Sequence, residues 1–337
     1  MTIPASIRLQ RDFDPDKLLK DLEAAQAQFQ SAPQAGGYHD GSWTGIALKA
    51  MNGDYKNTLA MSFTNVDYTE VIDHCPYFKE ILESMPFPVG VTRILFLPPG
   101  KKIGEHKDRG FSWEKGHVRL HIPIVTDPKV HFQIGEESVH WPVGQFWFGD
   151  FNQPHWLHNE SDIVRVHIVM DCFVTNELLA LFPQEALEQV RAETTIKTFD
   201  TWESGGPIPN PDLYTGFIKA PKTLTSIPLY GEITATDNTL EISLFGLPFS
   251  YRFKHQGNHR FQALNAEIVF DPNGDQTTFT MLMHNSNSEH HGAVVKALSP
   301  AAKLYSLLQR GLFKGGMIIA KTVLKLTQFT KRVLKTA

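Results

Sequence analysis

The stretches RILFLPPGKKIGEHKD (93–108), VRLHIPIVTDPKVHFQI (118–134) and VGQFWFGDFNQPHWLHNESDIVRVHIVMD (143–171) decide how this chain folds. Each contains short runs of β-branched and aromatic residues. Turn-forming groups such as Pro98-Pro99-Gly100 and Asp127-Pro128 punctuate them. Many short strands in a segment of this size predict a mainly β architecture, a sandwich or jelly roll.

The same stretches carry the chemistry. His106-Lys107-Asp108 is followed by His155, and Arg165 comes ten residues after that histidine. Two residues apart on an extended strand, His106 and Asp108 project to one side. A histidine brought alongside by a neighbouring antiparallel strand completes a two-His-one-carboxylate face with open coordination positions, which suits non-haem Fe(II). Arg165, on the adjoining strand, is where a cationic fork can grip the far carboxylate of a bidentate organic acid. A bare His-x-Asp triplet reads equally well as a surface pair on a loop. Agreement of three independent spacings favours the metal.

Composition bounds the remaining classes. The 337 residues suit two domains, and 42% hydrophobic with 20% charged residues builds a packed core rather than a disordered chain. Two cysteines, Cys75 and Cys172, cannot staple a secreted scaffold. With no apolar run of membrane-spanning length and no signal-like N-terminus, the expectation is a cytoplasmic protein. The net charge of -4 hides an asymmetry, since residues 300–337 hold eight basic and no acidic residues. An acidic body lacks the broad positive footprint that nucleic acid requires. Any anionic partner should meet the tail.

Working outward, Asp14-Pro15 with Leu18, Leu22 and Ala25 predicts an N-capped helix, and 176–192 predicts two more. SGGPIPNP (204–211) reads as a linker. The expected domains are a jelly roll with flanking helices (1–203), a small antiparallel β meander or open barrel (208–298) whose role the sequence does not assign, and a helical tail (299–337). In the tail, Lys303, Arg310, Lys314, Lys321, Lys325 and Arg332 share one helix face, with Leu308 and Leu312 among the residues opposite. This basic amphipathic helix fits an anionic membrane, an acidic protein partner or the chain's own acidic body.

LPPGKKIGEHKD, VRLHIPIVTDPKVHF and VGQFWFGDFNQPHWLHNESDIVRVHIVMD together resemble the aspartyl/asparaginyl β-hydroxylase family of Fe(II)- and 2-oxoglutarate-dependent dioxygenases. Bacterial proline cis-hydroxylases are similar over the same span. The Pro-Gly before the first histidine, the Arg-x-His of the middle strand, the Phe-x-Asp ahead of Pro-His and the closing Arg-x-His-x-x-x-Asp occur in order. The resemblance is close over about 80 residues and loose over 1–195. It implies a double-stranded β-helix, with His106, Asp108 and His155 as iron ligands. It further implies that Arg165 holds the distal carboxylate of 2-oxoglutarate, and that Arg119 and His121 contact the cosubstrate near the metal.

The animal peptide hydroxylases lack a ligand where this chain has Asp108, which sets it with the three-ligand branch. The implied activity is hydroxylation of an unactivated C–H in an amino acid, free or within a peptide or natural-product intermediate. It uses Fe(II), 2-oxoglutarate and O2 and releases succinate and CO2. Arg93 matches an arginine of the proline-hydroxylating relatives and is a candidate for a substrate carboxylate. His39 and Trp43, in the Gly-rich stretch 36–45, are candidates for a lid. Two alternatives stand beside this reading: a hydroxylase of a lipid-linked substrate at a membrane surface, and a non-catalytic jelly-roll scaffold.

Overall fold

A computed structural model describes residues 3–34, 37–60, 66–108, 110–199, 206–220, 229–245, 250–263, 266–272, 276–283 and 288–310. The chain divides into two compact units, 1–201 and 202–337.

The first unit contains twelve strands: β1 (Ser6–Asp12), β2 (Ala32–Pro33), β3 (Thr44–Met51), β4 (Val66–Tyr68), β5 (Val89–Leu97), β6 (Lys102–His106), β7 (His117–Val125), β8 (Val130–Ile134), β9 (Glu137–Val139), β10 (Gln145–Gly149), β11 (His155–Asn159) and β12 (Arg165–Phe173). They form a jelly roll of two antiparallel sheets. The larger runs β1-β10-β7-β12-β5-β3-β2, with β4 on β3, and the smaller runs β6-β11-β8-β9.

Alternation along β12 explains how the site is built. Val166, Ile168, Met170 and Cys172 point to one face. There they join Leu120 and Ile122 of β7, Ile94 and Phe96 of β5, and residues of two helices, α1 (Pro15–Gln28) and α2 (Pro76–Glu83), in one core. The intervening residues Arg165, His167 and Asp171 take the other face and are also buried. A strand covered on both faces reads as continuous burial, which is what β12 shows along its length. A second apolar cluster, including Ile103, Phe132, Ile134, Trp141, Phe151 and Leu157, involves strands of the smaller sheet.

Helix α1 begins where the sequence predicts. The Asp14 carboxylate accepts from the backbone N–H of Asp16 and Lys17, and Pro15 fills the first position. After β12 come α3 (Asn176–Leu179), capped by Thr175, and α4 (Gln184–Glu193).

In the second unit, eight antiparallel strands form a barrel that is closed rather than open: β13 (Gly216–Lys219), β14 (Tyr230–Thr236), β15 (Thr239–Leu244), β16 (Ser250–Gly257), β17 (Arg260–Ala263), β18 (Ala266–Asp271), β19 (Thr278–Met283) and β20 (Ser288–Val295). Closure comes from β13, a four-residue strand that pairs with both β14 and β20. Asp237 takes φ 46° in the β14–β15 hairpin, the left-handed conformation that a two-residue turn needs and that aspartate tolerates. Phe253, Phe261, Phe270, Phe279 and Ile268 belong to this unit's core.

Residues 300–310 are helical. The helix seats Ala302, Ser306 and Gln309, and Gln309 bonds to the backbone of Tyr230 and Phe245. Leu304, Leu307 and Leu308 are 63%, 65% and 57% exposed. Lys314, Lys321, Lys325, Arg332 and Leu312 of the amphipathic pattern lie outside the described residues. Among the described residues no helix is long and apolar enough to cross a membrane.

Candidate metal and cosubstrate site

The ends of β6 and β11 pair so that His106 stands opposite His155, and their rings approach to 4.1 Å between centroids. Asp108 is not on the strand. It lies two residues past the end of β6, where its N–H donates to the Phe151 carbonyl at 2.8 Å and its own carbonyl accepts from Phe111. The turn still returns its carboxylate to the histidines, with Oδ1 at 3.9 Å from His106 Nε2. One potential ligand atom from each of His106, Asp108 and His155 lies within 4.8 Å of the others.

Second contacts set the protonation of both rings. His106 Nδ1 faces the Gly104 carbonyl at 2.8 Å and His155 Nδ1 faces the Gln153 carbonyl at 3.0 Å. A carbonyl only accepts, so each Nδ1 carries the proton and each Nε2 keeps a lone pair for a cation. Burial holds the His155 pKa down at about 4, against a partial rise from the Gln153 carbonyl, so the ring is neutral at physiological pH. Burial pushes the Asp108 carboxyl up, but Arg119, His155 and His106 outweigh it and hold it below the usual carboxylate range. Asp150 accepts from Gln153 Nε2 at 2.9 Å, which braces the turn leading into His155.

Arg165 is not on a strand adjoining His155. It begins β12 in the larger sheet, yet it lines the same cavity as His106, Asp108, His155, Arg119 and His121. Its side chain is 3% exposed. Among the described residues no carboxylate lies within ion-pair distance of it, and burial alone pulls its pKa down to about 9. The guanidinium donates to His167 Nδ1 at 2.8 Å and sits 5.7 Å from the Phe132 ring centre.

The other buried arginines are neutralised. Arg119 Nε donates to Asp171 Oδ1 at 2.7 Å, and its Nη1 donates to Asp108 Oδ2. Arg93 Nη2 lies 3.5 Å from Asp171 Oδ2, and its Nη1 donates to Gln34 and to the Thr58 carbonyl. An ion-pair chain thus runs Arg93–Asp171–Arg119–Asp108. Arg93 is not among the residues lining the cavity, so its guanidinium is engaged within the protein.

The donor set fits the group that the resemblance implies. Two imidazoles and a carboxylate suit a ferrous ion, and a buried arginine without a carboxylate partner among the described residues suits a dicarboxylate.

Of the two lid candidates, Trp43 lines the cavity. His39 does not, being bonded to the Gln34 carbonyl at 3.2 Å and set edge-on to Trp43. Sequence reasoning missed Tyr38, whose ring stacks on His106 at 4.2 Å and 13°, while its carbonyl accepts from Gly104 at 2.7 Å. An aromatic residue beside a Gly-rich stretch was the available signal. Trp156, at the surface of β11, also lines the cavity. His158 is in β11 and pairs with Glu160 at 2.8 Å. In the barrel, His290 is buried and His291 exposed, so the adjacent pair points to opposite faces.

Residues 14–175 match the family described as Aspartyl/Asparaginyl beta-hydroxylase. The chain is 26% identical over 192 residues to the L-proline cis-4-hydroxylase of Rhizobium meliloti (strain 1021), covering 55% of this chain and 65% of that protein's length. Among solved structures, it is similar to an oxidoreductase of the 2OG-Fe(II) oxygenase family from Burkholderia pseudomallei. The TM-score there is 0.35 with 12% identity, over 46% of this chain and 78% of that one. It is also similar to a Pseudomonas putida prolyl-4-hydroxylase, with TM-score 0.33 and 12% identity, over 51% and 94% of the two chains.

Proposed function

We propose, on the premise that residues 14–175 are a segment of the aspartyl/asparaginyl β-hydroxylase family, that the chain is an Fe(II)- and 2-oxoglutarate-dependent hydroxylase of a small amino-acid substrate of the proline type. The observation that carries this reading is the meeting, in one cavity, of a His-Asp-His trio and a buried arginine with no acidic partner among the described residues.

In this reading His106, Asp108 and His155 hold the ferrous ion, and Arg165 receives the distal carboxylate of 2-oxoglutarate. With O2, that pair supplies an oxidant able to replace an unactivated C–H by C–OH, releasing succinate and CO2. The protein's share is placement. The carbonyls of Gly104 and Gln153 fix the two ligand tautomers, Arg119 steadies the Asp108 carboxylate, and Phe132, Phe151, Leu95 and Val169 keep the cavity apolar. Arg119 and His121, both lining the cavity, stand where they can contact the cosubstrate. Trp43 and Trp156 supply aromatic wall for an amino-acid side chain.

The test is to supply Fe(II), 2-oxoglutarate and O2 with proline and a panel of free amino acids, measuring succinate and a product one oxygen heavier. Substrate-dependent succinate that disappears in His106→Ala supports the proposal. Absence of iron-dependent succinate with every candidate would leave the scaffold alternative standing.

A second reading, a lipid-linked substrate met at a membrane surface, is favoured by one feature. Leu304, Leu307 and Leu308 are exposed on a helix whose sequence continues with basic and no acidic residues to the last position, 337. Deleting 300–337 should then abolish sedimentation with anionic vesicles, and unchanged vesicle binding counts against it.

A further inference from the structure

We infer that His167 is the positioning residue of the site, a neutral imidazole that aims the Arg165 guanidinium at the distal carboxylate of the cosubstrate. This rests on the proposed role of Arg165. It adds a residue that is neither one of the metal trio nor itself part of the cavity lining.

The argument begins with alternation. Residues 165 and 167 are two apart on β12, so both side chains take the face opposite the helix-side core, and both are buried. Arg165 Nη2 and His167 Nδ1 are 2.8 Å apart. A guanidinium only donates, so Nδ1 carries the lone pair and the proton of His167 sits on Nε2. Burial, with Arg165 and His121 adding like charge, pulls the His167 pKa well below the ordinary histidine range and keeps it an acceptor.

The acceptor is itself held. His121 Nδ1 lies 3.3 Å from His167 Nδ1, close enough to limit how that ring can turn. His121 lies against Phe151 at 5.0 Å and 27° and against Trp141 at 5.1 Å. Trp141 also flanks His167 at 6.2 Å. Among the described residues His167 is the one hydrogen-bond partner of the Arg165 side chain. A flexible guanidinium with no carboxylate nearby would otherwise sample several rotamers, and ordering it only on binding weakens affinity.

The experiment is anaerobic calorimetry of Fe(II)-loaded full-length protein with two probes: 2-oxoglutarate, and 2-oxobutyrate, which lacks the distal carboxylate. Arg165→Met is the reference variant. His167→Leu removes the acceptor at similar volume, His167→Gln displaces it, and His167→Asn restores an oxygen near the Nδ1 place. The expected result for Leu and Gln is an affinity for 2-oxoglutarate lower by about 10–100-fold, the range for one hydrogen bond to a charged group. Fe(II) affinity should be unchanged, 2-oxobutyrate affinity should shift by less than about 3-fold, and Asn should lie close to wild type. In turnover, KM for 2-oxoglutarate should rise with kcat nearly kept.

Equal loss for both probes, or no loss in the Leu and Gln variants while Arg165→Met abolishes binding, overturns the role of His167. Unchanged binding in Arg165→Met overturns the Arg165 reading and this inference with it. If His167→Leu does not fold, the contrast between Gln and Asn decides.

Discussion

Arg165 and Arg119 are both buried arginines of the same unit, yet truncating them should move stability in opposite directions. At neutral pH Arg165 remains charged, because its pKa, pulled down by burial to about 9, is still above 7. That drop corresponds to about 5 kcal/mol of unfavourable desolvation, present at every pH below about 9 and relieved as pH rises toward the unfolded value. Two contacts offset it: the Phe132 ring by about 1–2 kcal/mol and the His167 hydrogen bond by about 1.5–3 kcal/mol. Arg165→Met should therefore leave the metal-free protein as stable or more stable, by about 0–2.5 kcal/mol, raising the melting temperature of the first unit by up to roughly 10 °C.

Arg119→Met should do the reverse. It leaves Asp108 without its arginine and Asp171 with Arg93 alone, a loss of about 3–5 kcal/mol. Scanning calorimetry of chelator-treated protein checks both, following the transition that Arg119→Met lowers. If Arg165→Met destabilised that unit by more than about 1 kcal/mol, the guanidinium would have a counter-charge that the geometry lacks, and its assignment as a receptor for an incoming carboxylate would fail.

Other outcomes follow from single contacts. Asp108→Asn should weaken Fe(II) binding by more than about 10–100-fold, the range for losing even an outer partner of a ligand, as read in a chelator-competition titration. Tyr38→Ala, which removes the ring stacked on His106, should weaken Fe(II) binding by no more than about 10-fold in the same titration, in line with an aromatic pair of about 0.5–1.5 kcal/mol. His117, pressed between Phe173 and Phe199, has a pKa held down to about 4 by burial and then by Lys197. Its unfolded state takes up a proton first, so stability present above about pH 6.5 is lost as pH falls toward 4. The share lost between pH 7 and 5 is about 2 kcal/mol. Urea unfolding at the two pH values should show a difference smaller by that amount in His117→Phe.

Period-two patterning made most of the jelly roll legible, because β5, β7, β10 and β12 are runs of β-branched and aromatic residues between turn signals. Strands with weak signals were not legible. β13 is four residues ending just before Ala220-Pro221, and only its pairing with β14 and β20 shows that the barrel closes. β1 alternates apolar with charged residues and reads as surface until β10 pairs with it.

Within the site, spacing brought the metal trio to notice. The rest depended on contacts that sequence distance hides. Arg93 and Asp171 are 78 residues apart and Arg119 and Asp171 are 52 apart, so an engaged Arg93 could not be told from a free one. Asp108 drew attention by the rule of alternation, although it sits beyond the strand end and is held there by the Phe151 carbonyl.

An anaerobic titration of the full chain, first with Fe(II) and then with 2-oxoglutarate, compared with the His155→Ala and Arg165→Met variants, bears most directly on the site. The account predicts one ferrous ion per wild-type chain followed by one 2-oxoglutarate, no ferrous binding in His155→Ala, and intact ferrous but lost 2-oxoglutarate binding in Arg165→Met. Wild-type ferrous affinity in His155→Ala, or undiminished 2-oxoglutarate binding in Arg165→Met, would contradict it.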